Sequence, residues 1–244
     1  MVPGPTTPTW SWTVVLPVQR AEHGKSRLRA PQHVERAALA RAIAIDSVEA
    51  VLASAAVGAV VLVTSDPVVA AAGRDLAADG TLGAGRGTVE VLADPGQGLG
   101  AAVEAGVQLA RRDRPDGAVA ALLADVPALR GADLTAALLT AQGHPSAVVP
   151  DQDGSGTVLL TAAPGVPLRH AFGAGSAARH QDLGAVVLAL DLPRLRRDVD
   201  TEADLQAAVQ LGVGARTSAL LGDTALPGET ALPGDTALPG DSGH

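Results

Sequence analysis

The sequence predicts an α/β domain with a mainly parallel β-sheet and helices on both faces. Short runs rich in valine and leucine alternate with longer helical segments along most of the 244-residue chain. The short runs are almost continuously apolar, which is typical of strands buried on both faces of a parallel sheet. Hydrophobic residues make up 47% of the chain, enough to bury a sizeable core and too many for a disordered protein. A single domain is expected over residues 13–216.

The expected elements alternate because parallel strands need a long crossover, usually a helix, between them. Strands are expected at Thr13–Val18, Ala59–Thr64, Thr88–Leu92, Ala118–Ala124, Ala147–Pro150, Thr157–Thr161 and Ala185–Leu190. Helices are expected at His33–Ala53, Pro67–Ala78, Leu99–Arg112, Ala132–Gln142 and Thr201–Gln210. Thr201 and Asp204 have the spacing of a capping box, which marks the start of the last helix. The less regular segment 151–200 is interpreted as an insertion.

Both ends of the chain are expected to be disordered. Residues 1–12 contain three prolines and no hydrophobic periodicity. From Thr224 the hexapeptide TALPGD/E occurs three times, with a proline and a glycine in each copy. These residues prevent a helix, and one leucine per repeat cannot build a core. Residues 217–244 are therefore interpreted as a disordered tail.

Composition excludes several classes of function. The formal net charge of −8 disfavours nucleic acid as a partner, and two tryptophans with one phenylalanine cannot form a base-stacking surface. No apolar run is long enough to cross a membrane, and the N-terminal residues lack a signal-peptide pattern. Because the chain has no cysteine, disulfides and thiolate zinc sites are excluded. A cytoplasmic location is expected.

The loops after the strands carry the candidate site, because ligands of such sheets bind beyond the carboxyl ends of the strands. Lys25, the only lysine, follows the first strand, and a compact ammonium group suits a phosphate oxygen. The glycine-rich turn around Gly98 and Leu99 starts a helix and allows a ligand to approach the backbone closely. The alternative for the Lys25 segment is a solvated basic loop, and the alternative for the glycine-rich turn is an ordinary strand–helix loop.

Gly24-Lys25-Ser26 also permits a P-loop interpretation. That motif needs a glycine five residues before Gly24, where this chain has Gln19. Asp125, after an apolar strand, would then serve as the Walker-B acid of a kinase or ATPase. This interpretation is the minor alternative.

Three carboxylates are candidates for holding a divalent cation. Asp125 follows the fourth strand on a loop stiffened by Pro127, too far from the next helix to cap it. Asp198 and Asp200 are two residues apart on an extended segment, so they point to the same side. A cation between such acids would relieve their repulsion.

Two glycine- and hydroxyl-rich loops complete the candidate site. Residues 150–157 and 172–180 offer backbone amides and hydroxyls to a small anion, with Thr157, Gly173 and Ser176 among them. Ser176 also has the position of an N-cap for a helix over 177–183. His180 is interpreted as a packed or solvated histidine.

Together these motifs resemble the CofC/FbiD guanylyltransferases, nucleotidyltransferases with a GT-A-like, Rossmann-like fold. The resemblance covers residues 13–216 through KSRL at 25–28, LADVPAL at 123–129, PDxxGxGT at 150–157, FGxGSAARH at 172–180 and DVDTxxDL at 198–205. It implies transfer of GMP from GTP to a small phosphorylated C3 acid, with release of pyrophosphate, in coenzyme F(420) biosynthesis. For actinobacterial members the acid is phosphoenolpyruvate and the product is enolpyruvoyl-2-diphospho-5'-guanosine; 2-phospho-L-lactate is the alternative acid.

The resemblance also implies roles for the candidate residues. Thr157, Gly173 and Ser176 match positions that bind phosphoenolpyruvate. Asp125, Asp198 and Asp200 match magnesium ligands, while Lys25, Gly98 and Leu99 match the nucleotide side, and Lys25 and Asp125 are the catalytic candidates.

The chain departs from the family pattern at two positions of the nucleotide side. Gln19 stands where the family usually has lysine, and Gly100 where it usually has asparagine. These departures leave a catalytically inactive nucleotide-binding regulator as a further alternative.

Overall fold

One sheet forms the centre of the protein. The structure is a computed structural model that describes residues 10–19, 28, 30–31, 34–79 and 88–222. Within these ranges seven strands lie in the order β3-β2-β1-β4-β6-β5-β7. They are β1 (Trp12–Val18), β2 (Val57–Thr64), β3 (Thr88–Leu92), β4 (Ala118–Leu122), β5 (Ser146–Pro150), β6 (Thr157–Ala162) and β7 (Val186–Val187).

Helices connect most of these strands. They are α1 (Arg36–Leu52), α2 (Pro67–Asp79), α3 (Leu99–Asp113), α4 (Gly131–Ala141), α5 (Ser176–Asp182), α6 (Pro193–Arg196), α7 (Glu202–Leu211) and α8 (Ala215–Leu221). The predicted capping box at the start of α7 is confirmed: Thr201 accepts from the Asp204 N–H, and the Asp204 carboxylate accepts from the Thr201 N–H. None of the described helices is both long and apolar enough to cross a lipid bilayer.

The prediction of a mainly parallel sheet is confirmed, with one strand reversed. β1 pairs in parallel with β2 and β4, β2 with β3, and β5 with β7. β6 runs antiparallel to both of its neighbours, β4 and β5. Only the loop 151–156 joins β5 to β6, and so short a connection permits only an antiparallel pair. The reversal brings the first residue of β6, Thr157, to the edge of the sheet where β4 and β5 end.

Helices cover both faces of the sheet, as predicted, because the side chains of each strand alternate between two apolar layers. On β1, Trp12, Val14 and Leu16 lie in the layer that also contains residues of α1 and α4. Val15 points the other way and packs in the layer that contains residues of α3. A smaller third cluster packs α7 against α1. Its buried residues are Leu28, Leu39, Ile43, Ala128, Val199, Leu205 and Ala208.

The domain continues beyond the predicted boundary at residue 216. α8 extends to Leu221, and Thr217 within it is fully buried. The carboxylate of Asp46 on α1 accepts the N–H groups of Arg216 and Thr217, at 3.0 and 2.8 Å. These bonds satisfy amides at the start of α8 that have no partner within the helix. The hexapeptide repeats and residues 1–9 lie outside the described residues.

Candidate active site

A cleft of about 510 Å³ opens where the carboxyl ends of the parallel strands meet the loops 151–156, 172–176 and 197–204. Most of the predicted site residues line it together: Leu99, Asp125, Thr157, Gly173, Ser176, Asp198 and Asp200. The structure therefore assembles at one edge of the sheet residues that lie up to 101 positions apart in the sequence (99 to 200).

A smaller cavity of about 230 Å³ adjoins the cleft. Its walls are the end of β1 with Gln19, residues Ala40 and Ala44 of α1, and Leu99. Four residues line both spaces: Leu99, Leu123, Asp125 and Asp200. The two spaces meet at Asp125 and Asp200, so two ligands in them would face each other across these carboxylates.

The backbone holds the three predicted metal-binding acids in one place. The N–H of Val199 donates to the carbonyl oxygen of Asp125 at 3.0 Å, so the segment with Asp198 and Asp200 lies against the loop after β4. Val199 is fully buried in the third cluster, which fixes its two acidic neighbours toward the cleft. The prediction that Asp125 does not cap a helix is confirmed, since α4 begins at Gly131 with Arg130 as its N-cap.

Asp198 is held in an environment that disfavours its charge. Burial first, and then the charges of Asp125, Asp200 and Asp151, together raise its pKa from 3.8 to about 7. In the part of the chain that the structure describes, no group of three or more acids or histidines is placed so that it could hold a metal ion unaided. The cleft is thus rich in acids without being a complete all-protein metal centre.

Thr157 and Ser176 lie in contact, as their predicted joint role requires. Ser176 Oγ donates to Thr157 Oγ1 at 3.1 Å, and Thr157 Oγ1 lies 2.9 Å from His180 Nδ1. The prediction that Ser176 is an N-cap is wrong: α5 begins at Ser176, and its N-cap is Gly175 in a left-handed conformation. The Ser176 side chain turns toward β6 because Thr157 supplies a buried acceptor there.

Gly173 is required by its backbone conformation. Its φ of +116° is one that residues with side chains rarely adopt. A Cβ at this position would also lie 3.3 Å from a guanidinium nitrogen of Arg179. Gly173 itself lines the cleft, so the loop 172–176 exposes backbone without a side chain to this space.

Asp151 shapes the loop between β5 and β6. Its carboxylate accepts the N–H groups of Ser155 and Gly156 at 3.0 and 2.7 Å. A Cβ on Gly156 would overlap Asp151 Oδ2, so a larger residue here would displace the carboxylate that holds the turn. Arg196 donates to the backbone oxygens of Pro150 and Asp151, which ties the loop to α6.

Arg197 is a functional candidate that sequence reasoning missed. It lines the cleft, and its Nε is buried without a hydrogen-bond partner among the described residues. One of its terminal nitrogens lies 3.7 Å from Asp204 Oδ1, a distant ion pair. The adjacent Arg196 is equivalent in sequence but donates to backbone oxygens, so only the fold distinguishes the two arginines.

Of the residues predicted to bind the nucleotide, the structure describes Gly98 and Leu99, whereas Lys25 lies outside the described residues. Gly98, with φ +90°, is the N-cap of α3 and precedes Leu99, which lines both spaces, whereas Gly98 itself is not among the lining residues. A Cβ on Gly100 would lie 3.4 Å from the His170 ring, which is an ordinary van der Waals contact.

The structure contradicts the P-loop alternative. In a P-loop the helix begins at the lysine itself, so that its first amides face the phosphates. Here Leu28, Ala30 and Pro31 are not helical, and α1 begins at Arg36.

An acid-rich cleft thus lies over the carboxyl edge of a mainly parallel α/β sheet. Solved structures share the fold at low sequence identity. A protein described as a nucleotide-diphospho-sugar transferase of Desulfovibrio desulfuricans G20 superposes with a TM-score of 0.55 at 20% identity, over 87% of this chain and 94% of that one. A 4-diphosphocytidyl-2C-methyl-D-erythritol synthase gives 0.53 at 12% identity, over 83% and 99% of the two chains.

The chain belongs to the family described as "Guanylyl transferase CofC like", which it matches over residues 12–226. The family expected from the motifs is thereby confirmed. The phosphoenolpyruvate guanylyltransferase of Streptomyces coelicolor is 50% identical over 212 residues, 86% of this chain and 95% of the relative. That of Salinispora arenicola is 46% identical over 218 residues, 88% and 95% of the two chains. The protein is an enzyme of the nucleotidyltransferase class.

Proposed function

We propose that this enzyme transfers GMP from GTP to phosphoenolpyruvate. A phosphate oxygen of the acid attacks the α-phosphorus of GTP, a new P–O–P bond forms, and the bond to pyrophosphate breaks. The product is enolpyruvoyl-2-diphospho-5'-guanosine. The activity for which the relatives are named, at 43–50% identity over most of this chain, supports this choice of substrates.

One observation carries the proposal: the two adjoining spaces meet at Asp125 and Asp200. We assign the smaller space, beside β1 and Leu99, to part of the nucleotide, and the larger one to the acid. In this arrangement the α-phosphorus and the attacking oxygen meet at the shared carboxylates. Nucleotidyl transfer of this kind needs alignment and charge neutralisation more than a protein nucleophile.

The acid half of the cleft combines neutral donors with one cation. Thr157 and Ser176 contribute hydroxyls, and the loop at Gly173 contributes bare backbone. Arg197 is the only cationic side chain among the described residues that line this cleft, and a guanidinium group binds carboxylate or phosphate through two parallel hydrogen bonds. We therefore propose that Arg197 contacts the acid substrate.

The chemistry of the cleft fits Mg²⁺. Asp125, Asp198 and Asp200 offer carboxylate oxygens, and the pKa of Asp198 is raised by burial and by the neighbouring negative charges, which a cation would offset. Mg²⁺ is usually held by one or two carboxylates together with substrate phosphates, which agrees with an acid cluster that is incomplete by itself. When bound, the ion would neutralise and orient the reacting phosphates. Lys25, for which the sequence alone argues, is proposed to act on the α-phosphate or the leaving pyrophosphate.

Release of pyrophosphate tests the proposal. Purified enzyme with Mg²⁺ should release pyrophosphate only when GTP and the acid are both present, and phosphoenolpyruvate should outcompete 2-phospho-L-lactate at equal concentration. Asp125→Asn should reduce the rate by roughly 100-fold or more, an effect typical of a lost electrostatic contact to the transition state. Asp113→Asn is the matched control, since Asp113 is an exposed acid at the far end of α3. Release of inorganic phosphate with GDP, or no turnover, would contradict the proposal.

A further inference from the structure

We propose that His180 is a positioning residue that directs the hydroxyl proton of Thr157 into the acid cleft. The inference rests on the proposed function only for the identity of the ligand; the hydrogen-bond arrangement is a property of the free enzyme. It follows from the donors and acceptors around two buried side chains, Thr157 and His180.

The backbone fixes the protonation of one imidazole nitrogen. The N–H of Ala171 lies 2.9 Å from His180 Nε2. A backbone N–H can only donate, so Nε2 must carry a lone pair. The imidazole is therefore neutral, and its single proton is on Nδ1.

The surroundings favour this neutral form. Burial first, and then the nearby His170 and Arg179, together lower the pKa of His180 from 6.5 to about 4. The Phe172 ring packs against the imidazole in a T-shaped arrangement, with ring centroids 5.0 Å apart. His180 therefore presents the same donor at Nδ1 throughout the neutral pH range.

Thr157 Oγ1 receives two hydrogen bonds. His180 Nδ1–H donates to it at 2.9 Å, and Ser176 Oγ donates to it at 3.1 Å. Ser176 and His180 stand four residues apart on α5, so their side chains share the face toward β6. A hydroxyl oxygen accepts two hydrogen bonds, so both of its acceptor sites are filled.

The Thr157 hydroxyl can make one further hydrogen bond, in which it donates its own proton. Thr157 lines the cleft, and the two filled acceptor sites turn the O–H away from α5 toward that space. The hydroxyl thus acts on a ligand only as a donor, which selects an acceptor such as a carboxylate or phosphate oxygen. Without the donor at His180 Nδ1, the Thr157 proton could rotate back to bond the histidine position, and the cleft would lose its donor.

Two substitutions of His180 distinguish a role in positioning the Thr157 proton from a role in supporting the loop at Ala171. In His180→Asn the amide nitrogen reaches the place of Nδ1, which keeps the donor to Thr157 and loses the acceptor for Ala171. In His180→Gln the amide oxygen reaches the place of Nε2, which keeps the tie to Ala171 and loses the donor. We expect His180→Gln to raise the KM for phosphoenolpyruvate roughly tenfold, with little change in the KM for GTP, and His180→Asn to remain closer to wild type. A loop-supporting role predicts the opposite order, and that order would overturn the proposal.

Nitrogen NMR of the wild-type enzyme tests the tautomer independently of turnover and of variant folding. The His180 signals, assigned by their absence in either variant or by selective labelling, should show a protonated Nδ1 and an unprotonated Nε2 from about pH 5.5 to 8. A protonated Nε2 would overturn the proposal. If wild-type enzyme releases no pyrophosphate, the proposed function fails while the spectrum still decides the tautomer. If it is active and the Nε2 form is found, only the role of His180 fails.

Discussion

The backbone N–H of Val199 donates to the carbonyl oxygen of Asp125 across 74 residues of sequence (199 − 125). This main-chain hydrogen bond holds the acidic segment against the loop after β4. Substitution of an acidic side chain there should leave the fold in place. The acids can thus be tested one at a time for function and for their effect on stability.

Asp198→Asn should stabilise the metal-free protein at alkaline pH while it impairs catalysis. The pKa of Asp198 is raised to about 7, so between about pH 4 and 7 the folded state holds a proton that the unfolded chain has released. The free energy of unfolding therefore falls as pH rises through this window. Asparagine removes the effect, and we expect a gain of about 1 kcal/mol at pH 8, after allowance for solvent screening, in urea unfolding with EDTA. An unchanged pH profile would show that the pKa of Asp198 is not raised in the folded protein.

Gly173→Ala should impair binding of the acid far more than binding of GTP. The substitution forces alanine into a φ of +116° and brings a methyl group to 3.3 Å from Arg179. Gly165→Ala is the matched control, since Gly165 also has positive φ, at +75°, but has no atom within 4 Å of its Cβ position and lies outside the cleft. Both variants should lose about 1 kcal/mol of stability. Only Gly173→Ala should raise the KM for phosphoenolpyruvate, and an equal effect of both variants would dissociate this loop from the substrate.

Arg197→Gln should weaken binding of the acid by roughly tenfold or more, because a charge-assisted contact to an anion is lost. The control is Arg194→Gln: Arg194 is exposed and bonds to the carbonyl oxygen of Leu211. Steady-state kinetics with each substrate varied in turn gives the KM for phosphoenolpyruvate and the KM for GTP separately. If Arg197→Gln changes neither KM, Arg197 does not contact the acid substrate and its role is structural.

Truncation should separate the tail from the domain. Ending the chain after Gly222 removes the repeats, whose composition predicts that they cannot build a core, so melting temperature and turnover should not change. Ending it after Gly214 removes α8 and leaves the buried Asp46 carboxylate without the N–H groups of Arg216 and Thr217. We expect that chain to lose at least about 2 kcal/mol in urea unfolding. A lower melting temperature for the chain that ends after Gly222 would mean that the repeats pack on the domain.

The sequence predicts the strands and most of the site because both depend on local patterns. Continuous apolar runs such as Ala118–Ala124 identify buried strands, and chemistry-bearing residues stand where those runs end. Family motifs then supply the pairing of Thr157 with Ser176. The six-residue gap before Thr157 is the available signal for the reversed strand β6, since it is too short for a parallel crossover.

Other features depend on contacts between distant segments, which no local pattern shows. Arg196 and Arg197 are alike in sequence, and only the position of the 151–156 loop gives them different partners. Ser176 has the residue type of an N-cap, but a buried acceptor on β6 competes for its hydroxyl. His180 carries no signal of its own in the sequence because its role depends on the N–H of Ala171 across the turn.

Isotope tracing tests the central claim most directly. Phosphoenolpyruvate with ¹⁸O in the three non-bridging oxygens of its phosphate is incubated with GTP, Mg²⁺ and enzyme, and the products are examined by ³¹P NMR and mass spectrometry. If the phosphate of the acid attacks the α-phosphorus at the junction of the two spaces, the GMP phosphorus of the product carries one bridging ¹⁸O and the released pyrophosphate carries none. GDP as the product of GTP, or a GMP phosphorus without the label, would contradict the account.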